Sequence, residues 1–95
     1  MKKYFLVSLV KNGILGGSLT AEAEAITYHT GKLTVPPEYR HFSMKYADIC
    51  QVTKGWLFIL PTVTVKMHSG EEYKFAVFFS RKRLMNTLID MGVDR

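Results

Sequence analysis

The chain has 95 residues, a formal net charge of +5 and a single cysteine, Cys50. Hydrophobic residues make up 47% and charged residues 22% of it, which excludes disordered and collagen-like proteins. This length supports one hydrophobic core, so residues 1–95 are predicted to form one domain without an internal disulfide.

The first predicted element is a strand over Tyr4–Val10, which is rich in aromatic and β-branched residues. The same segment follows a basic start and is similar to a secretory signal peptide, with small residues around Ala21 at a cleavage point. Lys11 and Asn12 interrupt the apolar stretch at the lower limit of signal length. We favour the strand and expect it in the mature protein. The alternative is that residues 1–23 are a cleaved signal.

Short strand-like segments separated by turn residues continue along the chain. The glycines of residues 13–17 predict a sharp reversal, and Ser18–Thr30 is interpreted as two strands that turn near Glu22–Glu24. Pro36 and Pro37 belong in a loop. Residues 42–46 alternate as a half-buried strand, and residues 49–54 continue as strand without strict alternation. Residues 63–67 and 72–77 predict a hairpin around residues 69–70.

The last predicted element is an amphipathic helix over about residues 80–91, with Ser80 as its N-cap and Gly92 at its end. Four apolar residues form one stripe along it: Leu84, Met85, Leu88 and Ile89. A sheet of this kind bends into a barrel with an open mouth, which such a stripe covers. The predicted fold is therefore mainly β, a partly open barrel of about seven antiparallel strands capped by a C-terminal helix.

This layout resembles a pleckstrin-homology domain, and several residues are similar to its GRAM branch. The GRAM pattern Gly-x-Leu-x-Leu-Thr, followed after three residues by Leu-x-Phe, is matched by Gly17 and Leu19 and approximated by Ile26 and Tyr28. Ala21-Glu22 departs from it. Three later segments are also similar to GRAM motifs: Ala47–Val52, Gly70–Phe75 and Phe79–Arg81 with Leu84 and Leu88. The similar region runs from Gly17 to Leu88.

The resemblance implies a non-catalytic domain that binds phosphoinositides, other anionic lipids or protein partners. Lipid-binding pleckstrin domains carry a basic cluster on the first two strands and their loop. Here Lys11 is followed by no basic residue until Lys32, so we do not expect a specific phosphoinositide pocket.

The residues themselves predict no catalytic, metal or cofactor site and no small-molecule substrate. His29, His41 and His68 lie on separate segments without metal-ligand spacing to each other or to Cys50. The glycines near residue 16 are not followed by the Gly-Lys-Ser/Thr of a phosphate loop. We therefore expect a protein that is not an enzyme.

Two apolar segments are candidate contacts with a partner, a second copy or a membrane. The larger one is continuous and lies near the predicted connection between the fifth and sixth strands: Trp56, Leu57, Phe58, Ile59 and Leu60. Exposed, it would be a patch that monomers rarely tolerate, and the alternative is burial on both faces of extended strands. Ile14 and Leu15 in the glycine segment form a smaller candidate contact of the same kind, with burial as the alternative.

The candidate anion contact is the run Arg81, Lys82 and Arg83 at the predicted helix start. The helix dipole places positive partial charge there, so these residues carry an energetic cost that an anionic partner would offset. The alternative is a solvated helix end near Glu71 or Glu72.

Together these features favour a non-catalytic binding module that contacts a protein partner, a second copy of itself or an anionic membrane surface. The alternative is a small basic β-barrel that stacks single-stranded nucleic acid on exposed aromatic side chains. A single cysteine fits a reducing compartment, and we expect a cytoplasmic protein that acts in solution or at the membrane periphery.

Overall fold

In a computed structural model, which describes residues 3–10, 14–31 and 35–94, the chain forms one curled antiparallel sheet followed by a helix. The strands are β1 (Lys3–Val10), β2 (Ile14–Ala21), β3 (Ala25–His29), β4 (His41–Lys45), β5 (Ile49–Leu57), β6 (Leu60–Met67) and β7 (Glu72–Val77), and helix α1 spans Arg81–Asp90. The seven strands lie in the order β4-β3-β2-β1-β7-β6-β5. The predicted mainly β, partly open barrel with a C-terminal helix is confirmed.

Strand β1 is the centre of the sheet because it pairs with β2 on one side and with β7 on the other. Phe5, Val7 and Leu9 point into the core and are buried, whereas Tyr4 and Leu6 on the other face are exposed and Ser8 is buried. The inward row of β1 packs with matching rows from the other strands into a single core.

Tyr28 on β3 is the largest fully buried side chain of that core. Its ring centroid lies 5.3 Å from that of Phe42 and 5.7 Å from that of Phe75. Its hydroxyl donates a hydrogen bond of 2.6 Å to the Leu15 carbonyl, so the polar end of the ring is satisfied inside the sheet. Burial raises the pKa of this hydroxyl above its usual value.

The predicted reversal at residues 13–17 is wrong for residues 14–17, because β2 already begins at Ile14, and Gly13 lies outside the described residues. Gly17 is needed for a close approach rather than for a turn. A Cβ atom at this position would lie 2.5 Å from the His29 carbonyl oxygen and 2.8 Å from the Tyr28 hydroxyl. The predicted turn near Glu22–Glu24 agrees with the structure, since β2 ends at Ala21 and β3 begins at Ala25. Lys11 and Asn12 lie outside the described residues.

A bulge explains why alternation fails at the start of β5. The register against β6 shifts between Ile49 and Gln51, so Ile49 and Val52 both point into the core despite their odd spacing. On the outer edge of β5, the Val52 N–H donates a hydrogen bond of 2.8 Å to the carbonyl oxygen of Asp94, which follows the helix. The C-terminal segment therefore occupies one backbone donor of this edge strand.

Helix α1 covers the open side of the sheet with Leu84, Met85 and Leu88, which are buried. Ile89 is only half-buried, because it lies at the margin of the stripe beside a surface cleft. Ser80 occupies the N-cap position, but its side chain makes no capping hydrogen bond. Gly92 ends the helix with φ +91°, and the N–H groups of Gly92 and Val93 return to the carbonyls of Ile89 and Leu88.

The capping role of α1 predicts a large loss of stability for Leu88→Ala. Leu88 is buried, so truncation leaves a cavity and should lower the free energy of unfolding by about 2–5 kcal/mol. Urea denaturation followed by circular dichroism measures the change. The matched control is Met91→Ala, because Met91 is exposed and should change stability by less than about 0.5 kcal/mol. Equal midpoints for the two variants would contradict the packing of α1 on the core.

The contact between Gly17 and Tyr28 predicts a second difference in stability. Gly17→Ala forces its Cβ against a backbone carbonyl, so the variant should unfold at a lower urea concentration, with a free energy of unfolding lower by about 1–3 kcal/mol. Gly31→Ala is the control, because a Cβ at Gly31 meets no atom within 4 Å. The same denaturation measurement compares them, and a Gly17→Ala midpoint equal to that of Gly31→Ala would refute the close approach.

Candidate contact surface

The predicted apolar run forms the end of the β5–β6 hairpin. Leu57 pairs with Leu60, and the two residues between them, Phe58 and Ile59, make the turn. Phe58 is 94% exposed, Ile59 is 87% exposed and Trp56 is 63% exposed. Leu57 and Leu60 are half-buried. The alternative in which extended strands bury the whole run therefore does not describe this hairpin.

The turn itself carries a local energetic cost at Phe58. Its φ is +55°, the left-handed region that a residue with a Cβ adopts at a cost of about 1–2 kcal/mol. Glycine is the usual residue at such a position in a tight hairpin turn. Because the Phe58 side chain is almost completely exposed, no packing within the described chain offsets this cost.

Further apolar side chains lie beside the hairpin, and the sequence analysis did not identify them. Val7 pairs with Val77, and Thr62 pairs with Ala76, so the register brings Leu6, Phe78 and Leu60 to neighbouring positions. Phe79 follows at the entrance to α1 and is 97% exposed. We call the exposed members of this group the apolar crest: Leu6, Trp56, Phe58, Ile59, Phe78 and Phe79.

A sequence signal for Phe78 and Phe79 was present. Two adjacent aromatic residues between the last strand and the helix interrupt the alternation of β7, whose inward residues are Phe75 and Val77. Adjacent large apolar residues cannot both face the same core from a strand, so one of them had to be exposed.

The three basic residues at the start of α1 have different surroundings. Arg81 donates from Nη1 to the Gly55 carbonyl at 2.7 Å, and its guanidinium lies 4.8 Å from the centroid of the Trp56 ring. Arg83 donates from Nη2 to the Tyr4 carbonyl at 3.0 Å, and its guanidinium lies 4.6 Å from the centroid of the Phe5 ring. Lys82, between them, is exposed.

Arg81 and Arg83 therefore attach the helix start to β5 and β1. Three like charges at a helix N-terminus carry an energetic cost, and these contacts within the chain offset part of it for Arg81 and Arg83. Cation–π contacts of this kind stabilise by about 0.5–1 kcal/mol at exposed sites, and each guanidinium keeps further donors that these bonds do not use.

Two surface clefts flank the basic end of the helix. One, of about 710 Å³, lies between β5 and α1 and includes Lys54, Arg81 and Lys82 in its lining. The other, of about 470 Å³, lies on the opposite side of α1 and includes Lys3, Lys82, Arg83 and Phe79, together with Asp90. The positive charges of this end of the molecule are thus adjacent to the apolar crest.

The eight acidic residues of the chain lie on other segments. Glu22 and Glu24 follow β2, Glu38 lies in the loop before β4, Asp48 precedes β5, Glu71 and Glu72 lie at the start of β7, and Asp90 and Asp94 lie at and beyond the end of α1. None belongs to the β5–β6 hairpin or to residues 78–83. The apolar crest therefore has basic charge beside it and no acidic residue within its own segments.

Ile14 and Leu15 are not brought to this surface. Ile14 pairs with Val10 at the end of β1, whereas the crest lies beside the start of β1. Ile14 is exposed, and Leu15 is half-buried and packs against the core. Neither residue therefore belongs to the apolar crest.

Other kinds of site find little support in the part of the chain that the structure describes. Within it, no group of three or more His, Cys, Asp or Glu side chains is placed to hold a metal ion. Cys50 is free and half-buried on β5. Among the described residues, no helix has the length and apolar character needed to cross a bilayer.

Comparison with known proteins supports the fold alone. No protein-family model matches the chain, and no curated protein is similar to it in sequence. Fifteen chains of solved structure match it. One of them is the C-terminal domain of an unknown protein from Leishmania infantum, with a TM-score of 0.78 and 17% sequence identity over 94% of this chain and 80% of that one. At this identity the match establishes a shared fold and carries no function.

The left-handed turn at Phe58 predicts that Phe58→Gly stabilises the domain. Glycine adopts this φ without a Cβ clash, and after its own entropic cost the free energy of unfolding should rise by up to about 1 kcal/mol. Ile59→Gly is the control, since φ at Ile59 is not positive and glycine there should lower stability. Urea denaturation compares both variants with the parent chain. A lower stability for Phe58→Gly would contradict strain at this turn.

Proposed function

We propose that this chain is a non-catalytic binding module that docks on an anionic membrane surface through its apolar crest. The observation that carries the proposal is the projecting β5–β6 turn, at which Phe58 and Ile59 are almost completely exposed beside Trp56 and Phe79. A surface of this kind on a small domain is typical of contact with an apolar environment.

The apolar contribution is large enough to hold the domain on a bilayer. Each large apolar side chain contributes about 1.5–3 kcal/mol when it is fully removed from water. A tight turn presents Phe58 and Ile59 away from the sheet, so both side chains reach the acyl boundary of a bilayer without a shaped pocket. Amphipathic aromatic side chains such as Trp56 are favoured at the level of the headgroups.

The charge distribution supports an anionic surface. Lys54, Lys82 and Arg83 lie beside the crest, and a basic residue close to an anionic leaflet contributes about 1 kcal/mol. No acidic residue belongs to the crest segments, and Asp90 lines the cleft beside Phe79 together with Lys82 and Arg83. Because screening acts on exposed charges over about 8 Å at physiological salt, the apolar contribution should dominate at high ionic strength.

We also propose that the chain is a GRAM or pleckstrin-homology-like domain. Seven antiparallel strands followed by a C-terminal helix that covers the sheet support this assignment. The surface proposed here differs from the basic first-hairpin site expected of lipid-binding members, since it lies on the β5–β6 hairpin and the start of α1.

A protein partner, a second copy of the chain and single-stranded nucleic acid remain outcomes of the test. Base stacking needs exposed aromatic side chains, and Tyr28 and Tyr46 are buried in the core. Nucleic acid would instead have to use the aromatic residues of the crest, with a steep dependence on salt.

The test is binding to vesicles of phosphatidylcholine, with and without phosphatidylserine. Trp56 is the single tryptophan of the chain and lies in the crest, so its emission should shift to shorter wavelength on binding. The double variant Phe58→Ser, Ile59→Ser should weaken binding by at least about 100-fold, because two apolar side chains no longer leave water. Sedimentation of the vesicles gives the bound fraction independently.

A second variant measures the electrostatic contribution of the basic residues separately from that of the apolar crest. Lys54→Glu with Lys82→Glu should weaken binding to phosphatidylserine vesicles by about tenfold or more at physiological salt and have little effect on neutral vesicles. The matched control is Lys66→Glu with Lys74→Glu on β6 and β7, away from the crest. Circular dichroism establishes that each variant is folded.

Three results would overturn the proposal. The first is vesicle binding that the Phe58 and Ile59 changes leave intact. The second is an absence of vesicle binding together with a concentration-dependent mass in light scattering that these changes abolish, which would make the crest a contact between copies. The third is tight binding of single-stranded DNA without any vesicle binding.

A further inference from the structure

Two histidines meet on the exposed face of the sheet, far apart in sequence and directly opposite in register. His29 on β3 pairs with His41 on β4, and both side chains are exposed. Their Nδ1 atoms lie 3.4 Å apart, and the ring centroids lie 5.5 Å apart with the ring planes at 71°. In the sequence these residues lie on separate segments, and their spacing does not reveal the strand pairing that joins them.

The separation of the two nitrogens suits a shared metal ion. Zinc binds imidazole nitrogen at about 2.0–2.1 Å in tetrahedral geometry, which places two ligating nitrogens about 3.3–3.4 Å apart. A cis pair in octahedral or square-planar geometry at similar bond lengths lies closer, at about 2.8–3.0 Å. The observed distance therefore matches the separation of two nitrogen ligands in a tetrahedral site.

We propose that His29 and His41 chelate a Zn²⁺-class transition-metal ion through their Nδ1 atoms. Without metal, one ring donates its Nδ1–H to the other. On binding, that proton moves to Nε2 of the same ring by exchange with water, so both Nδ1 lone pairs face the ion and both rings stay neutral. For two neutral rings this tautomer change leaves the number of bound protons unchanged.

The chain supplies two of the four tetrahedral positions at this site. The next cross-strand pair on the same face of β3 and β4 is Thr27 with Ser43, whose hydroxyls hydrogen-bond to each other at 2.9 Å. No carboxylate or thiol in the described part of the chain completes a cluster of three ligands around the histidines. Two positions therefore remain for water or for ligands on another molecule.

The two open coordination positions distinguish this site from a structural zinc site. Structural zinc sites have four protein ligands, so a two-histidine site does not hold the fold together. It instead provides a metal-dependent contact point on β4, which is one edge of the sheet. This inference is independent of the membrane proposal, because the pair lies on β3 and β4 and the apolar crest includes no residue of either strand.

The test is titration of the whole chain with Zn²⁺, followed by calorimetry and by the ring proton signals of the three histidines in NMR spectra. We expect the signals of His29 and His41 to shift together and those of His68 to remain. His29→Ala and His41→Ala should each weaken Zn²⁺ binding by about tenfold or more, since loss of a ligand costs at least as much as loss of an outer-shell partner.

The matched control is His68→Ala, which removes an exposed histidine from the turn after β6 and leaves the pair intact. It should bind Zn²⁺ as the parent chain does, and all three variants should unfold at similar urea concentrations because the side chains are exposed. Equal weakening by all three variants would indicate non-specific binding to surface imidazoles and overturn the site. So would binding that His29→Ala or His41→Ala leaves unchanged, or no Zn²⁺ binding by the parent chain.

Discussion

The pairing of β1 with both β2 and β7 is the constraint on which the rest of the structure depends. It joins the β2–β3–β4 meander to the β7–β6–β5 meander, so the sheet has one continuous inner face. Phe5, Val7 and Leu9 supply the middle of that face. Because the curled sheet leaves one side open, an apolar stripe on α1 is required to complete the core.

The way α1 is attached explains why the apolar crest stays uncovered. Arg81 and Arg83 fix the first helical turn to the carbonyls of Gly55 and Tyr4, and the buried stripe of the helix starts only at Leu84. The helix therefore covers the core beyond this point and leaves the end of the β5–β6 hairpin and the Phe78–Phe79 segment in solvent. The attachment of the first helical turn thus places Arg81 and Arg83 beside the apolar crest and also leaves the crest exposed.

Sequence patterns were sufficient for the fold because strand alternation and the helical stripe are local signals. Contacts between segments that are distant in sequence could not be predicted from such local patterns. The glycine at Gly17 was interpreted as a turn because its neighbour Tyr28 lies on another strand, and the contacts of Arg81 depend on the place of Gly55. The apolar run was visible, but its exposure follows from the left-handed turn at Phe58, for which the sequence offers no glycine.

The hydrogen bond from Val52 to Asp94 has a consequence for the behaviour of the domain at high concentration. An edge strand with free backbone donors is a template on which another chain adds a strand, and β5 is such an edge. By accepting from Val52, the segment after the helix covers one backbone donor of this edge. Together with the bulge at Ile49–Gln51, it interrupts the flat ladder that fibril-like stacking requires.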